Sequence, residues 1–290
     1  MSLRSALRWI ASGVGHAAAC GLFMGPIQRA AEAKPSPPAA AGGVQRAAVA
    51  RDQHPARPVL ERAQEVLAGM EGEIRDYTAT LVKRERHQDT LGDPQSVAIK
   101  VRHKPFSAYV NFERSDNARV VELIYIDGKN VQDDGPHMFV HSNIFRWRTL
   151  MLNVNGKLAM AGERRPVTDL GIFNLGRWML RDAEQDLQHA DCEVRWMKDA
   201  KVEGRASTCV QTVRLVRREG VAFHKTRYFI DDQLAVPIRF EAYDWPAAAG
   251  AEPELVEEYT YHDLRVNVGL GDRDFDYRNP DYGFPRSVKW

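Results

Sequence analysis

The sequence predicts an α+β protein, mainly β, in which a curved antiparallel sheet carries helices on one face. Many short segments alternate apolar and polar residues with a period of two, which is typical of half-buried antiparallel strands. Two segments instead show the 3.6-residue period of amphipathic helices. Helices and strands do not alternate in the βαβ manner, so the sequence argues against a parallel sheet.

The alternation begins at Tyr77, which shares one face of a predicted strand with Ala79 and Leu81. The next two strands have the apolar faces Val97, Ile99 and Val101, and then Phe106, Ala108, Val110 and Phe112. Further strands are predicted at residues 120–127, 129–132, 138–141, 195–198, 205–216, 222–230, 236–243 and 255–266. Gly-containing turns lie between several of them, which favours hairpin connections.

Two helices are predicted, one before the sheet and one within its sequence. The first begins near Pro58, and its apolar residues recur at steps of three and four. The second covers residues 169–189 and has an apolar stripe that includes Met179. The order is therefore one helix, a strand meander, a helical insertion and more strands.

The N-terminal region resembles an export signal. Arg4 and Arg8 precede a weakly apolar stretch, and Ala31-Glu32-Ala33 has the small-x-small form of a cleavage site. We expect a signal peptide at 1–33, a disordered Pro/Ala-rich linker at 34–55 and one β-rich domain at 56–290. The expected location is the periplasm, with membrane anchoring if the leader is retained or Cys20 is lipid-modified. The mature domain is not expected to span a membrane.

Net charge argues against a nucleic-acid partner. The chain has 40 Lys and Arg residues against 39 Asp and Glu residues, so no global field is available to bind a polyanion. Electrostatic recognition must therefore be local. Four basic residues on two neighbouring predicted strands are candidates for binding an anionic headgroup: Arg84, Arg86, Arg102 and Lys104. A solvated strand face with surface ion pairs is the alternative interpretation.

Cys192 and Cys209 are predicted to form a disulfide. The two segments that contain them have the pattern of a hairpin that turns near Asp199-Ala200, which would place the cysteines roughly opposite each other. Export would bring both into an oxidising compartment. The alternative is a pair of buried free thiols.

Six sequence blocks together resemble an exported bacterial family that is known only as a domain of unknown function. They are YTATLVKRER at 77–86, KVRHKPFSAY at 100–109, YIDGKN at 125–130, PVTDLGI at 166–172, EEYTY at 257–261 and DFDYRNP at 274–280. That family is similar to the periplasmic lipoprotein-carrier superfamily (LolA, LolB and related lipid-binding proteins). The resemblance implies an unclosed half-barrel with helices across its concave face, and an apolar cavity that shields acyl chains from water.

The function expected from this resemblance is binding or carriage of a lipid, a lipoprotein or another apolar ligand, without a cofactor. The cavity candidates are Tyr77, Leu81, Ile99, Val101, Phe106, Val110, Phe112 and Met179. A fold shared with carriers does not fix function. The alternative is an envelope sensor or protein-interaction module of the same fold.

An enzyme is the least favoured class, and no catalytic residue is predicted. The sequence has no Gly-x-Ser-x-Gly elbow, and Glu257 and Glu258 should point to opposite faces of one strand, where they cannot share acid-base work. His137 and His141 fall on one predicted strand about 13 Å apart, too far to share a metal ion. No metal site is therefore predicted.

Overall fold

The computed structural model describes residues 53–112 and 120–286, together with the backbone of residues 288–289. The predicted leader, and the predicted linker up to residue 52, lie outside these residues. His54 is buried, and its Nε2 lies 2.8 Å from the carbonyl oxygen of His189.

Both predicted helices are confirmed, as α1 (Arg57–Glu73) and α2 (Ile172–Asp186). Pro58 lies in the first turn of α1, where its fixed φ suits the helix and its missing N–H is not needed. The two helices pack closely at Gly176, where a Cβ atom would come within 2.9 Å of Met70 Cε. A residue with a side chain would fit at this crossing only if the ends of the Met70 and Leu67 side chains moved.

Fourteen strands occur within the described part of the chain. They are β1 (Asp76–His87), β2 (Thr90–Leu91), β3 (Gln95–Arg102), β4 (Ser107–Asn111), β5 (Val120–Ile126), β6 (Val131–Gln132), β7 (Gly135–Ser142), β8 (Thr149–Asn153), β9 (Cys192–Val202), β10 (Arg205–Arg214), β11 (Lys225–Asp231), β12 (Pro237–Tyr243), β13 (Leu255–Val266) and β14 (Val288–Lys289). The strands β2, β8 and β14 were not predicted from the sequence.

The sheet is antiparallel and unclosed, as predicted. Its order is β14-β8-β7-β5-β4-β3-β1-β13-β12-β11-β10-β9, with β2 beside β1 and β6 beside β7. Among the described strands, β14 alone runs parallel to its neighbour, β8. The end strands β9 and β14 are not paired with each other, so the sheet remains open. Apolar residues of its inner face form one core with the apolar faces of α1 and α2.

A second, smaller core lies on the outer face of β4 and β5, where the C-terminal segment crosses them. Tyr109, Ile124 and Ile126 pack there against Phe275 and Phe284. The carboxylate of Glu122 is buried among them. It accepts hydrogen bonds from the Tyr109 hydroxyl (2.7 Å) and from the Gly283 N–H (2.8 Å), so it joins the C-terminal segment to the sheet.

The predicted disulfide between Cys192 and Cys209 is wrong, because both cysteines are free thiols in the structure. The hairpin exists, but it turns at Glu203 and Gly204, both of which have positive φ. This turn places Cys209 opposite Met197 and Cys192 opposite Arg214. At about 3.3 Å per strand residue the two cysteines are roughly 17 Å apart along the hairpin, far beyond the reach of a disulfide.

We expect thiol counting to find Cys192 and Cys209 free in exported protein. Burial raises the pKa of Cys192 to about 11 and that of Cys209 to about 12, so both stay protonated and react slowly while the chain is folded. Alkylation in denaturant without reductant, followed by peptide mass spectrometry, should modify both. A cross-linked Cys192–Cys209 peptide would contradict the observed register.

Glu122→Ala should destabilise the fold by about 3 kcal/mol, because Tyr109 and Gly283 would lose a buried acceptor. The control is Glu254→Ala, whose side chain is 70% exposed and pairs with Arg86 at 3.3 Å. An exposed pair of this kind contributes about 1 kcal/mol or less. Urea unfolding of both variants measures the difference, and equal losses would show that Glu122 does not fasten the C-terminal segment.

Candidate ligand-binding site

An apolar pocket of about 100 Å³ lies on the concave face of the sheet. Its floor consists of alternate residues of β1, β3, β4, β5, β7 and β8, and Trp178 of α2 forms one side. The apolar floor residues are Leu81, Val97, Val110, Leu123, Met138 and Leu152. Phe112 and Val120 line the end of the pocket where β4 stops and β5 begins.

The pocket is covered by residues 159–170, which connect the region after β8 to α2 and are called the covering segment below. Ala159, Pro166, Val167 and Leu170 present their side chains to the pocket. The segment contains only a single short 3-10 turn, Val167–Asp169. It is held in place by contacts with the sheet and by Asn174 of α2, whose Nδ2 donates hydrogen bonds to the carbonyl oxygens of Thr168 (2.8 Å) and Leu170 (2.9 Å).

Charged side chains of the sheet supply the first of these contacts. The alternation of β1 places Lys83 and Glu85 on the same face as Leu81, so both are buried beside the pocket. Lys83 Nζ forms an ion pair with Glu163 of the covering segment. Burial raises the pKa of Glu163, while the Lys83 ammonium acts in the opposite direction. Glu85 accepts a hydrogen bond from the Arg164 N–H at 3.1 Å.

Glu257 of β13 is the centre of the remaining contacts and is only 1% exposed. Its carboxylate pairs with the guanidinium groups of both Arg164 (3.2 Å) and Arg165. Arg165 also lies over the ring of Trp178, 4.1 Å from its centre. The Tyr259 hydroxyl donates to Glu85, and burial together with the carboxylates of Glu257 and Glu85 raises the pKa of Tyr259. Tyr259 therefore remains a hydrogen-bond donor at neutral pH.

The covering segment ends where α2 begins, and two tyrosines of the sheet fix that junction. Gly171 N–H donates to the Tyr261 hydroxyl at 2.9 Å, and Ile172 N–H donates to the Tyr77 hydroxyl at 3.1 Å. These bonds satisfy N–H groups that have no partner within the helix. Gly171 has φ +111°, a conformation that disfavours any residue with a side chain.

The predicted cavity residues fall into two groups. Leu81, Val110 and Phe112 line the pocket. The others do not: Tyr77, Ile99, Val101 and Met179 are buried in the core, and Phe106 lines a separate groove of about 790 Å³ beside the C-terminal end of α1.

The structure does not bring the four predicted headgroup-binding residues together. Arg84 and Arg86 lie near the end of β1, on the face opposite to the pocket. Arg102 and Lys104 lie at the other end of the pairing, because β1 and β3 are antiparallel and Asp76 is opposite Arg102. The prediction assumed that Arg84 and Arg86 on β1 lie beside Arg102 and Lys104 on the next long strand. In the antiparallel register, the two pairs lie at opposite ends of the paired strands. Arg102 and Lys104 line the groove that contains Phe106.

Arg84 and Arg86 have structural partners on the outer face. Arg84 Nε donates to the Gly92 carbonyl, and Arg86 Nε donates to the Leu255 carbonyl, both at 2.9 Å. These bonds tie β1 to the residue that follows β2 and to β13.

Sequence reasoning missed the charged residues that hold the covering segment. Lys83 and Glu85 could have been found from alternation alone, since they share a face with Leu81. Glu257 and Glu258 do point to opposite faces, as predicted, with Glu257 buried and Glu258 paired with Arg239 at 2.8 Å. Nothing in the sequence signals that Arg164 and Arg165 would be the partners of Glu257.

No helix in residues 53–112 and 120–286 is long and apolar enough to cross a membrane. Across the same described ranges, no group of three or more His, Cys, Asp or Glu side chains is arranged to hold a metal ion.

The chain belongs to the family DUF1571, which is described as a protein of unknown function, and the match covers residues 74–284. No curated protein matches the chain in sequence.

Among solved structures, the chain is similar to a putative outer membrane lipoprotein-sorting protein domain from Vibrio parahaemolyticus, with 16% identity, a TM-score of 0.37, and coverage of 76% of this chain and 97% of that one. It is similar to a LolA superfamily protein from Nitrosomonas europaea, with 11% identity, a TM-score of 0.30, and coverage of 74% and 97%. It is also similar to a chain of the Pseudomonas aeruginosa MucA/MucB complex, with 11% identity, a TM-score of 0.43, and coverage of 76% and 60%. All three are distant likenesses.

Glu257→Gln should loosen the covering segment and destabilise the fold by about 3 kcal/mol, because Arg164 and Arg165 would lose their buried carboxylate. Glu258→Gln, one residue along the same strand on the opposite face, is the matched control and should cost about 1 kcal/mol or less. Urea unfolding measures stability, and tryptic cleavage after Arg164 measures release of the segment. Equal cleavage rates in the two variants would contradict the assigned role of Glu257.

Proposed function

We propose that this chain is a binding or carrier protein of the bacterial envelope that holds a lipid or lipoprotein acyl chain, or another apolar ligand, in the pocket on the concave face. The proposal involves no chemical step. It rests on one observation: an apolar pocket in the inner face of the sheet is covered by a segment that charges and hydrogen bonds attach to the sheet.

The pocket's size indicates how a ligand would enter. At about 100 Å³ it is somewhat smaller than the engineered cavity of about 150 Å³ in another protein that stays dry and binds benzene. The conformation described here therefore accommodates a few methylene groups. A complete acyl chain requires the covering segment to move away from the sheet.

The contacts of the covering segment suit such a movement. When the segment lifts, Lys83, Glu85 and Glu257 become accessible to water, and hydration offsets part of the loss of their partners. An apolar ligand can then contact the floor of the pocket in place of the apolar side chains of the covering segment. A segment held by apolar packing alone would instead expose its whole contact area to water on opening.

The envelope location belongs to the proposal and is supported by the N-terminal pattern of the sequence. Arg4 and Arg8, the apolar stretch and Ala31-Glu32-Ala33 follow the order of an export signal. N-terminal sequencing of the exported protein tests this part. A mature chain that starts after Ala33 supports a periplasmic protein, whereas a retained leader or a lipid-modified Cys20 would place it on a membrane.

Replacing Val110 or Leu81 by Trp tests the pocket directly. Both side chains line it, so the added ring should occupy ligand volume and weaken binding of a fluorescent fatty acid at least about tenfold with little loss of stability. Ile99→Trp is the control, since Ile99 is buried in the core on the strand beside β1 without lining the pocket. Overpacking there should cost about 1 to 3 kcal/mol.

Probe titration and thermal melting of the three variants separate the outcomes. Loss of probe binding with nearly parental stability for Val110→Trp supports the pocket. A parent protein that binds no probe, combined with destabilisation of Val110→Trp equal to that of Ile99→Trp, would show a packed core and end the carrier proposal. If the parent protein binds the probe, mass spectrometry of organic extracts from exported protein identifies its natural ligand.

A further inference from the structure

An apolar and basic loop connects β7 to β8 at residues 143–148 and is called the tip loop below. Its sequence is NIFRWR. Ile144 is 58% exposed and Trp147 is 69% exposed. The third large apolar residue, Phe145, contacts Trp147 with its ring centre 6.1 Å away. Ile144 and Trp147 are thus two of the large apolar side chains that are exposed among the described residues.

Packing of the fold does not explain these side chains. Neither Ile144 nor Trp147 belongs to the main core or to the smaller core on the outer face. The loop nevertheless has a defined conformation: Ile144 N–H donates to Ser142 Oγ at 3.1 Å, and Arg148 N–H donates to the Phe145 carbonyl at 3.2 Å. The backbone therefore presents the apolar side chains to solvent in a fixed arrangement, which lowers the ordering cost of binding.

The charge of the loop is uniformly positive. It contains Arg146 and Arg148 and no acidic residue. The Arg148 guanidinium lies over the Phe145 ring at 4.9 Å. In the described parts of the chain, neither arginine is within ion-pair distance of a carboxylate. Because the whole chain has a net charge of only +1, attraction to an anionic surface has to come from local groups such as these.

The tip loop lies at the end of the sheet where the pocket ends. Val120 lines the pocket and is paired with Ser142, the residue directly before the loop. The loop is thus attached to the pocket wall by a strand pair, at the end lined by Phe112 and Val120.

We infer that the tip loop docks the protein onto an anionic lipid surface. Trp147, Ile144 and Phe145 would enter the interfacial region of the bilayer, where tryptophan is favoured, and Arg146 and Arg148 would contact lipid phosphates. The combination of exposed Ile144 and Trp147 with Arg146 and Arg148 matches the apolar and anionic layers of such a surface. The inference concerns a separate surface and does not rest on the identity of the ligand in the pocket.

Vesicle co-sedimentation of the full chain tests it, with vesicles of phosphatidylglycerol and phosphatidylcholine compared with phosphatidylcholine alone. The Ile144→Ser, Trp147→Ser double variant should lower the partition coefficient on the anionic vesicles at least about tenfold. Arg146→Gln with Arg148→Gln should lower binding to anionic vesicles, and added salt should reduce this difference.

The matched control is Trp196→Ser with Met197→Ser on the edge strand β9, where the two side chains are 37% and 39% exposed. It removes a tryptophan and an aliphatic residue at the opposite edge of the sheet and should bind vesicles as the parent does. Quenching by brominated lipids gives a second readout: the quenched fraction of tryptophan fluorescence should fall in Trp147→Phe.

Three results would overturn the inference. The tip-loop variants could bind anionic vesicles as tightly as the parent, or the β9 control could lose as much binding as they do. The tip-loop variant could also turn a dimer into a monomer in sedimentation while vesicle binding is unchanged, which would make the loop an interface between copies. Fatty-acid probe binding without vesicles should be parental in all tip-loop variants, so failure of docking is distinguishable from failure of the pocket.

Discussion

The arrangement of the concave face depends on pairing the charged groups that β1 and β13 bury there. Glu257 is 1% exposed and Lys83 is 7% exposed, and a charge at such a depth is costly unless a partner neutralises it. The partners come from one stretch of chain, Glu163 to Arg165, so satisfying the charges also fixes the covering segment above the pocket. The tyrosine hydroxyls at Gly171 and Ile172 extend the same principle to the start of α2, whose orientation over the sheet is thereby set.

This mode of attachment distinguishes the two faces of the sheet. On the outer face, the C-terminal segment is held by aromatic packing as well as by Glu122, and Tyr282 stacks on Tyr109 with ring centres 4.0 Å apart. On the concave face, the covering segment makes its specific contacts through charges and hydrogen bonds above an apolar floor. Removing the C-terminal segment from the sheet would expose a core, whereas moving the covering segment exposes the pocket and hydrates the charges beside it.

Local periodicity predicted the class of fold, both helices and most strands, because each depends on neighbouring residues. Local periodicity could not predict the register, that is, which residues of two neighbouring strands lie opposite each other. The cysteine pair failed because Glu203-Gly204, rather than Asp199-Ala200, forms the hairpin turn, and a shift of a few residues moves partners along the ladder. The strand β8 also escaped prediction, since its exposure pattern lacks strict alternation. Ion pairs across long sequence separations, such as Arg165 with Glu257, depend on the completed fold and carry no local signal.

The pairing of β5 with β7 connects the pocket to the tip loop and relates their two proposed roles. A ligand taken from or delivered to a bilayer has the greatest loss of hydrophobic stabilisation while it crosses water, so a carrier benefits when its pocket meets the lipid surface directly. Val120 in the pocket wall and Ser142 at the base of the tip loop are paired residues, which places the aromatic tip beside one end of the pocket. Docking through the tip loop would therefore set the end of the pocket lined by Val120 beside the lipid surface.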